Sequence, residues 1–330
     1  MIDIGGTNYR CGIYKDGQLM EVIEKKPTPN YLKVIDSSEV KLKNMLVENI
    51  VGSYNHAVDK HGDFASLAIS FPGPVNNRGE VIGSSVIFGK PLQESFRLKE
   101  MLTGQIAPGV IILVTNDITA SAWRYSDKYG SFCLITVSSG IGSKIFSNSK
   151  VLIGDNGLSG EIGHIAADIS ELSIPCDCGW GNNHIGILSS GRGIENVSRV
   201  LAAKDGLYRS LFLSAEIGDK VNGNEQLLTS ELIACYADVR DVFSMTIIDY
   251  CTKPLAKIIC MLSLALHVEK FIIIGGFALN CKYYLESLRL NAIKNGIYNF
   301  KSIDIKNMII YGENDDNHAL IGLGKMMTKH

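Results

Sequence analysis

Asp3-Ile4-Gly5-Gly6-Thr7-Asn8-Tyr9-Arg10 is the end of a short apolar strand running into a glycine turn. Its counterpart lies well over a hundred residues on, where the apolar run 131–137 ends in Ser138-Ser139-Gly140-Ile141-Gly142. In each copy a strand enters a glycine-rich turn and more strand follows, so 11–14 is expected to pair back on 1–4. After the first copy, Val40, Leu42, Met45, Leu46, Ile50 and Val51 recur at helical spacing, which predicts a helix over 36–60 capped by Ser37 or Ser38. Strands follow at 64–70, stopped by Pro72-Gly73-Pro74, and at 110–114, the latter leading through Thr115-Asn116-Asp117 into a helix reaching 125. The second half reads as loop-rich sequence over 146–186, helices over 190–203, 228–237 and 240–266, a strand at 271–274 ending in Gly275-Gly276, and a last helix over 319–327. Strands alternating with helices give an α/β class. No low-complexity linker separates the halves, which are expected to pack as a hinged pair around a cleft.

The composition narrows the function classes. A chain of 330 residues, 46% hydrophobic and 20% charged, exceeds one small core and is too apolar for global disorder. A net charge of −2 leaves no electrostatic footprint for nucleic acid or an anionic membrane. No apolar run reaches the ~18 residues of a spanning helix. The start, Met1-Ile2-Asp3-Ile4-Gly5-Gly6, lacks the basic and apolar regions of a signal peptide, so a cytoplasmic protein is expected. Of eight cysteines, six (11, 133, 235, 251, 260 and 281) are scattered, mostly in apolar segments, and read as reduced core residues. Cys176 and Cys178 differ, lying in a Gly/Asn-rich loop with histidines nearby.

Three glycine loops, at Gly5-Gly6, Gly140–Gly142 and Gly275-Gly276, each follow a strand, the place where open α/β proteins bind ligands. Turn N–H groups there can bind phosphate oxygens, with Thr7 adding a hydroxyl and Asp3 holding Mg2+ through water. The plainer reading of the first loop is a hairpin turn. Asn116-Asp117 also has two readings: a general base beside a substrate hydroxyl, or a helix N-cap. Gly160-Glu161-Ile162-Gly163-His164 sets an acid and an imidazole three apart, on one face of a helical turn.

Taken together, Asp3-x-Gly-Gly-Thr-x-x-Arg10, Pro72-Gly-Pro-Val75, Asn116-Asp117, Gly140-Ile-Gly142, Gly160-Glu-Ile-Gly-His164, Cys176-x-Cys-Gly179 and Gly275-Gly276 resemble the ROK family (repressors, open reading frames, kinases) over nearly the whole chain. The resemblance implies a two-domain actin-like ATPase (ribonuclease H-like) fold. Residues 1–117, completed by a C-terminal helix at about 310–330, would form the smaller domain; 118–309 would carry the zinc loop and nucleotide site. It implies ATP and Mg2+ in the cleft, with Gly5, Gly6, Thr7, Ser139, Gly140 and Gly142 at the phosphates and Gly275 and Gly276 bordering the adenosine. Asp117 becomes the base for a primary hydroxyl of a hexose-like sugar, Asn116 and Glu161 become sugar contacts, and His164 becomes a zinc ligand that also touches sugar. Structural Zn2+ would be held by His164, Cys176 and Cys178, with a homodimer as the expected assembly.

The departures from the family pattern matter as much. The usual third zinc-motif cysteine is missing; His184 offers an imidazole in its place, about one residue beyond the usual spacing, and the alternative is a metal-free loop held by hydrogen bonds. The family's sugar-contacting acid two positions past that motif falls on Ile185 or Gly186. Ser143-Lys144 stand where glycines are usual, and Ser84–Gly89 replaces an Asn-containing segment. These changes put plain glucose in doubt and favour a C7-cyclitol or an amino sugar such as kanosamine. The rival readings are a non-catalytic sugar-sensing regulator, which would need a DNA-binding segment for which no room precedes Asp3, and a kinase using polyphosphate, for which no basic tract is present.

Overall fold

The computed structural model describes residues 1–169 and 171–329 and divides into two compact units. The first contains Met1–Gly130, Phe146–Gly160 and the C-terminal stretch from Asp315. Its sheet is built from β1 (Ile2–Ile4), β2 (Asn8–Lys15), β3 (Gln18–Pro27), β4 (Ser66–Phe71) and β5 (Ile111–Asn116), in the order β3-β2-β1-β4-β5. The glycine turn lets β2 pair antiparallel with β1, with Asp3 opposite Arg10, while β4 joins β1 in parallel and β5 joins β4. Helix Glu39–His61 starts where Ser38 accepts a hydrogen bond from the N–H of Lys41, and it buries Leu42, Leu46, Val47 and Ile50. Val40 falls outside that stripe and is 68% exposed.

The second unit contains Ser131–Ile145 and Glu161–Asn314. Its strands are β6 (Phe132–Val137), β7 (Ile141–Ser147), β9 (Lys270–Ile274) and β10 (Ile309–Tyr311), and β7 runs on into the short β8 (Lys150–Val151). The strand order β10-β9-β6-β7-β8 repeats that of the first sheet, position for position, from the other edge. In each half a hairpin strand pairs after a glycine turn and two parallel strands extend the other side, so the repeat expected from the glycine turns is a repeat of topology. The helix Val242–Leu266 is the main buttress, burying Phe243, Ile247, Cys251, Leu255 and Ile259. Among the described residues, no helix is long and apolar enough to cross a membrane.

Sequence reading closes the first domain at 117, whereas contacts carry helix Asp117–Trp123 and the segment Phe146–Gly160 into the first unit. The reason is packing. Trp123 meets Phe146 edge-on at 5.3 Å, and Ala120 packs with Ala68, Ala319 and Leu323. The last two belong to helix His318–Lys329, where Gly322 lies so close to the carbonyl of Ala120 that a Cβ has no room. Gly322→Ala is therefore expected to cost about 1–3 kcal/mol by overpacking, seen as a Tm several degrees lower in calorimetry; an unchanged Tm contradicts this contact.

The cysteine expectation needs one correction. All eight are free thiols, and Cys11, Cys133, Cys251, Cys260 and Cys281 are buried, but Cys235 is exposed. It lies on helix Ser230–Asp238, whose buried residues are Ile233, Ala234 and Ala237, so position 235 falls on the outer face. Two short helices, Leu207–Ser214 and Glu216–Lys220, form where no helix is expected from sequence.

Candidate active site and metal centre

In the first unit, β5 ends at Asn116 and a helix begins at Asp117. Asn116 is the cap: its Oδ1 accepts the N–H groups of Ile118 and Thr119, each at 3.0 Å. Its amide donates to the carbonyl of Gly73 at 2.9 Å and to Asp117 Oδ1 at 2.8 Å. Asn116 is thus committed on both sides, so a sugar contact by it would displace one of these bonds. Asp117 Oδ1 also accepts the N–H of Ile118 at 2.8 Å, which leaves Oδ2 outside these hydrogen bonds. Burial, and then the charge of Asp3, push the Asp117 carboxyl up to about 7. A carboxyl titrating there is matched to general-base work near neutral pH.

Asp3 is buried in the middle of β1 and held on both oxygens: Ser70 Oγ donates to Oδ1 at 2.6 Å and Arg10 Nη2 faces Oδ2 at 3.2 Å. Arg10 also bridges to Asp316. Burial raises the Asp3 carboxyl, against the lowering effect of Arg10 and Ser70. Because Asp3 charge raises Asp117, Asp3→Asn is expected to move the Asp117 titration below about 7, read by carboxyl NMR. An unmoved titration would leave burial as the sole cause.

The first glycine turn is tied through its carbonyls. Gly5 N–H donates to Asn8 O at 2.8 Å, Asn30 donates to Gly6 O at 2.9 Å, and Thr28 N–H and Lys33 Nζ reach Thr7 O at 3.0 and 3.1 Å. No acceptor meets the N–H groups of Gly6 and Thr7 among the described residues. In the second unit, the turn from β6 to β7 is braced by Ser190 Oγ on Ser139 O at 3.0 Å and Gly191 N–H on Ser138 O at 2.8 Å. Gly275 caps helix Gly276–Leu279 against the end of β6, at Val137. Ser139, Gly140, Gly142, Gly275 and Gly276 therefore gather at the carboxyl ends of the parallel strands β6 and β9.

Glu161 precedes, and His164 ends, a single turn of 3-10 helix, Ile162–His164, with His164 N–H on Glu161 O at 3.0 Å. Sequence reading passed over the role of Lys144 on β7. It is 1% exposed, and its Nζ lies 3.8 Å from Glu161 Oε1. Only its place among residues that are usually glycine marked it.

His164, Cys176, Cys178 and His184 converge, each offering a donor atom within 4.8 Å of the others. Cys176 Sγ is 3.9 Å from His164 Nδ1, and Cys178 Sγ is 3.4 Å from His184 Nδ1. Ordinary Zn–S and Zn–N lengths at a tetrahedral angle give an S–N edge of about 3.6 Å, so two thiols and two imidazoles here fit a zinc ion. The loop is knitted by buried Asn183, whose side chain bonds Ile174 N–H, Ile169 O and Leu172 O at 2.6–3.1 Å. His184, which stands in for the third cysteine of the ROK pattern, is 7% exposed and belongs to this set.

The model of the ROK family matches residues 1–329. The chain belongs to the ROK family. Among its ROK relatives, the C(7)-cyclitol 7-kinase of Streptomyces hygroscopicus subsp. limoneus is 31% identical over 98% of this chain and 92% of that protein. A glucokinase of Halalkalibacterium halodurans is 26% identical over 83% and 79%. The crystal structure of a ROK family glucokinase from Streptomyces griseus, in complex with glucose and AMPPNP, superposes with a TM-score of 0.70, covering 100% of this chain and 98% of that one at 18% identity. That likeness establishes the actin-like ATPase fold for this ROK protein.

Proposed function

We propose that this ROK-family phosphotransferase moves the γ-phosphoryl group of ATP onto a primary hydroxyl of a C7-cyclitol, with a hexose as the second acceptor class. The observation that carries the chemistry is Asp117, oriented by Asn116 and Ile118 and titrating at about 7. Asp117 takes the hydroxyl proton as that oxygen bonds to phosphorus, the bond from phosphorus to the ADP oxygen breaks, and ADP leaves. The N–H groups of Gly6 and Thr7 and the turns at Ser139–Gly142 and Gly275-Gly276 would hold the nucleotide. Mg2+ would be held by Asp3 through water, since Ser70 and Arg10 already occupy its oxygens, and would offset phosphate charge. Zn2+ would sit on His164, Cys176, Cys178 and His184 as a structural ion fixing the turn that carries Glu161.

The cyclitol is placed first because the cyclitol kinase is the more similar of the two curated relatives above and aligns over nearly all of both chains. A coupled ADP-release screen over C7-cyclitols, hexoses and amino sugars tests the reading. The highest kcat/KM should fall on a C7-cyclitol, and MgATP should raise the Tm. A protein that ignores MgATP and releases no ADP with any acceptor is instead a sugar sensor.

A further inference from the structure

Lys144, on β7, belongs to neither the glycine loops nor the metal set. It is an ammonium on a buried strand, 1% exposed, and it faces the carboxylate of Glu161. Burying an ammonium is costly unless a charge meets it. The second acid that could have enlarged the negative charge here has no place. Ile185 is buried and apolar, and a Cβ on Gly186 would lie 3.1 Å from the carbonyl of Gly163, on the turn between Glu161 and His164. In this unit, then, the carboxylate of Glu161 stands beside a buried ammonium and is not a lone anion.

We infer that Lys144 is a specificity-determining residue that selects an uncharged polyol over an acceptor bearing an ammonium group, resting on the assignment of Glu161 as an acceptor contact. The Glu161 carboxylate, paired to Lys144, still accepts hydrogen bonds from neutral hydroxyls. An acceptor ammonium in the same place gains little from a carboxylate already neutralised, and it is repelled by the Lys144 charge. Discrimination of this kind comes from a built-in repulsion as much as from a good contact. A neutral cyclitol or hexose fits that arrangement and a free amino sugar does not.

The test compares kcat/KM for glucose, its 2-amino and 3-amino analogues, the N-acetyl form of the 2-amino analogue, a C7-cyclitol and gluconate. The enzymes are the wild type, Lys144→Met and Lys144→Arg. The wild type should favour the neutral acceptor over its matched amine by about tenfold or more. Lys144→Met should bring that ratio towards one, mainly through a lower KM for the amine, while Lys144→Arg should keep it. A wild type that prefers an amine or gluconate overturns the inference, as does a Lys144→Met enzyme with an unchanged ratio. Should Lys144→Met fail to fold, the wild-type ratio and the Lys144→Arg enzyme still decide. Calorimetric binding of glucose and its amine separates the two levels. If no acceptor is turned over but binding keeps the neutral preference, the kinase reading fails and the role of Lys144 stands.

Discussion

Asp117→Asn should lower kcat by about 10²–10⁴-fold while leaving the KM for the acceptor within a few-fold of wild type. The asparagine keeps the size of the side chain and can still meet a hydroxyl, but it cannot take a proton. In the wild type only the ionised carboxylate is competent. Since the Asp117 carboxyl titrates at about 7, activity should climb as pH rises through neutrality and level off above it. At pH 6 roughly a tenth of the enzyme is in the active form. The variant should lose both the rate and that inflection. A variant that turns over the preferred acceptor at the wild-type rate removes Asp117 from the chemistry, and an inflection that survives assigns the titration to another group.

The second large effect concerns the metal set. Purified chain is expected to carry one zinc ion, and Cys178→Ser should weaken its binding by more than the 10–100-fold that loss of an outer partner costs at such sites. Structural zinc contributes about 10–16 kcal/mol of binding to small domains, so chelation should unravel the loop 165–184 and take activity with it through the Glu161 turn. Trp180 offers the readout. It is 91% exposed and two residues from Cys178, whereas Trp123, the other tryptophan, is 6% exposed. Its emission should shift on chelation and return on adding zinc. A metal-free chain with unchanged Tm and activity in Cys178→Ser would make the loop a hydrogen-bonded structure only.

Much of this molecule is legible in its sequence where local chemistry and fold agree. The glycine turns mark β1, β6 and β9, Ser38 marks a helix start, and the apolar stripe from Leu42 to Ile50 marks its buried face. The metal set was reachable through the resemblance to the ROK pattern, with His184 standing in for its missing cysteine. What was hidden depends on neighbours distant in sequence. β3, Gln-Leu-Met-Glu-Val-Ile-Glu-Lys-Lys-Pro, is an edge strand alternating exposed and half-buried, and its charges obscure it. β10 is three residues long and exists because β9 offers it an edge. Asn116 reads equally well as cap or ligand until Gly73 is seen to hold its amide. Lys144 looks like a surface lysine until β7 is found to bury it.

The last helix carries a consequence for how the chain is made. Helix Asp117–Trp123 rests on Ala319 and Leu323, which leave the ribosome almost two hundred residues later. At about 5–20 residues per second, the first sheet waits some 10–40 s with this apolar seat uncovered. The second unit, whose strands and helices all lie between Ser131 and Asn314, is complete before then. The two units are thus completed within about ten residues of each other, although the first begins more than a hundred residues earlier. A transcript cut short near its end would release a finished second unit joined to a first unit without its seat, so the helix that begins at Asp117 would gain its support only in chains read through to Leu323.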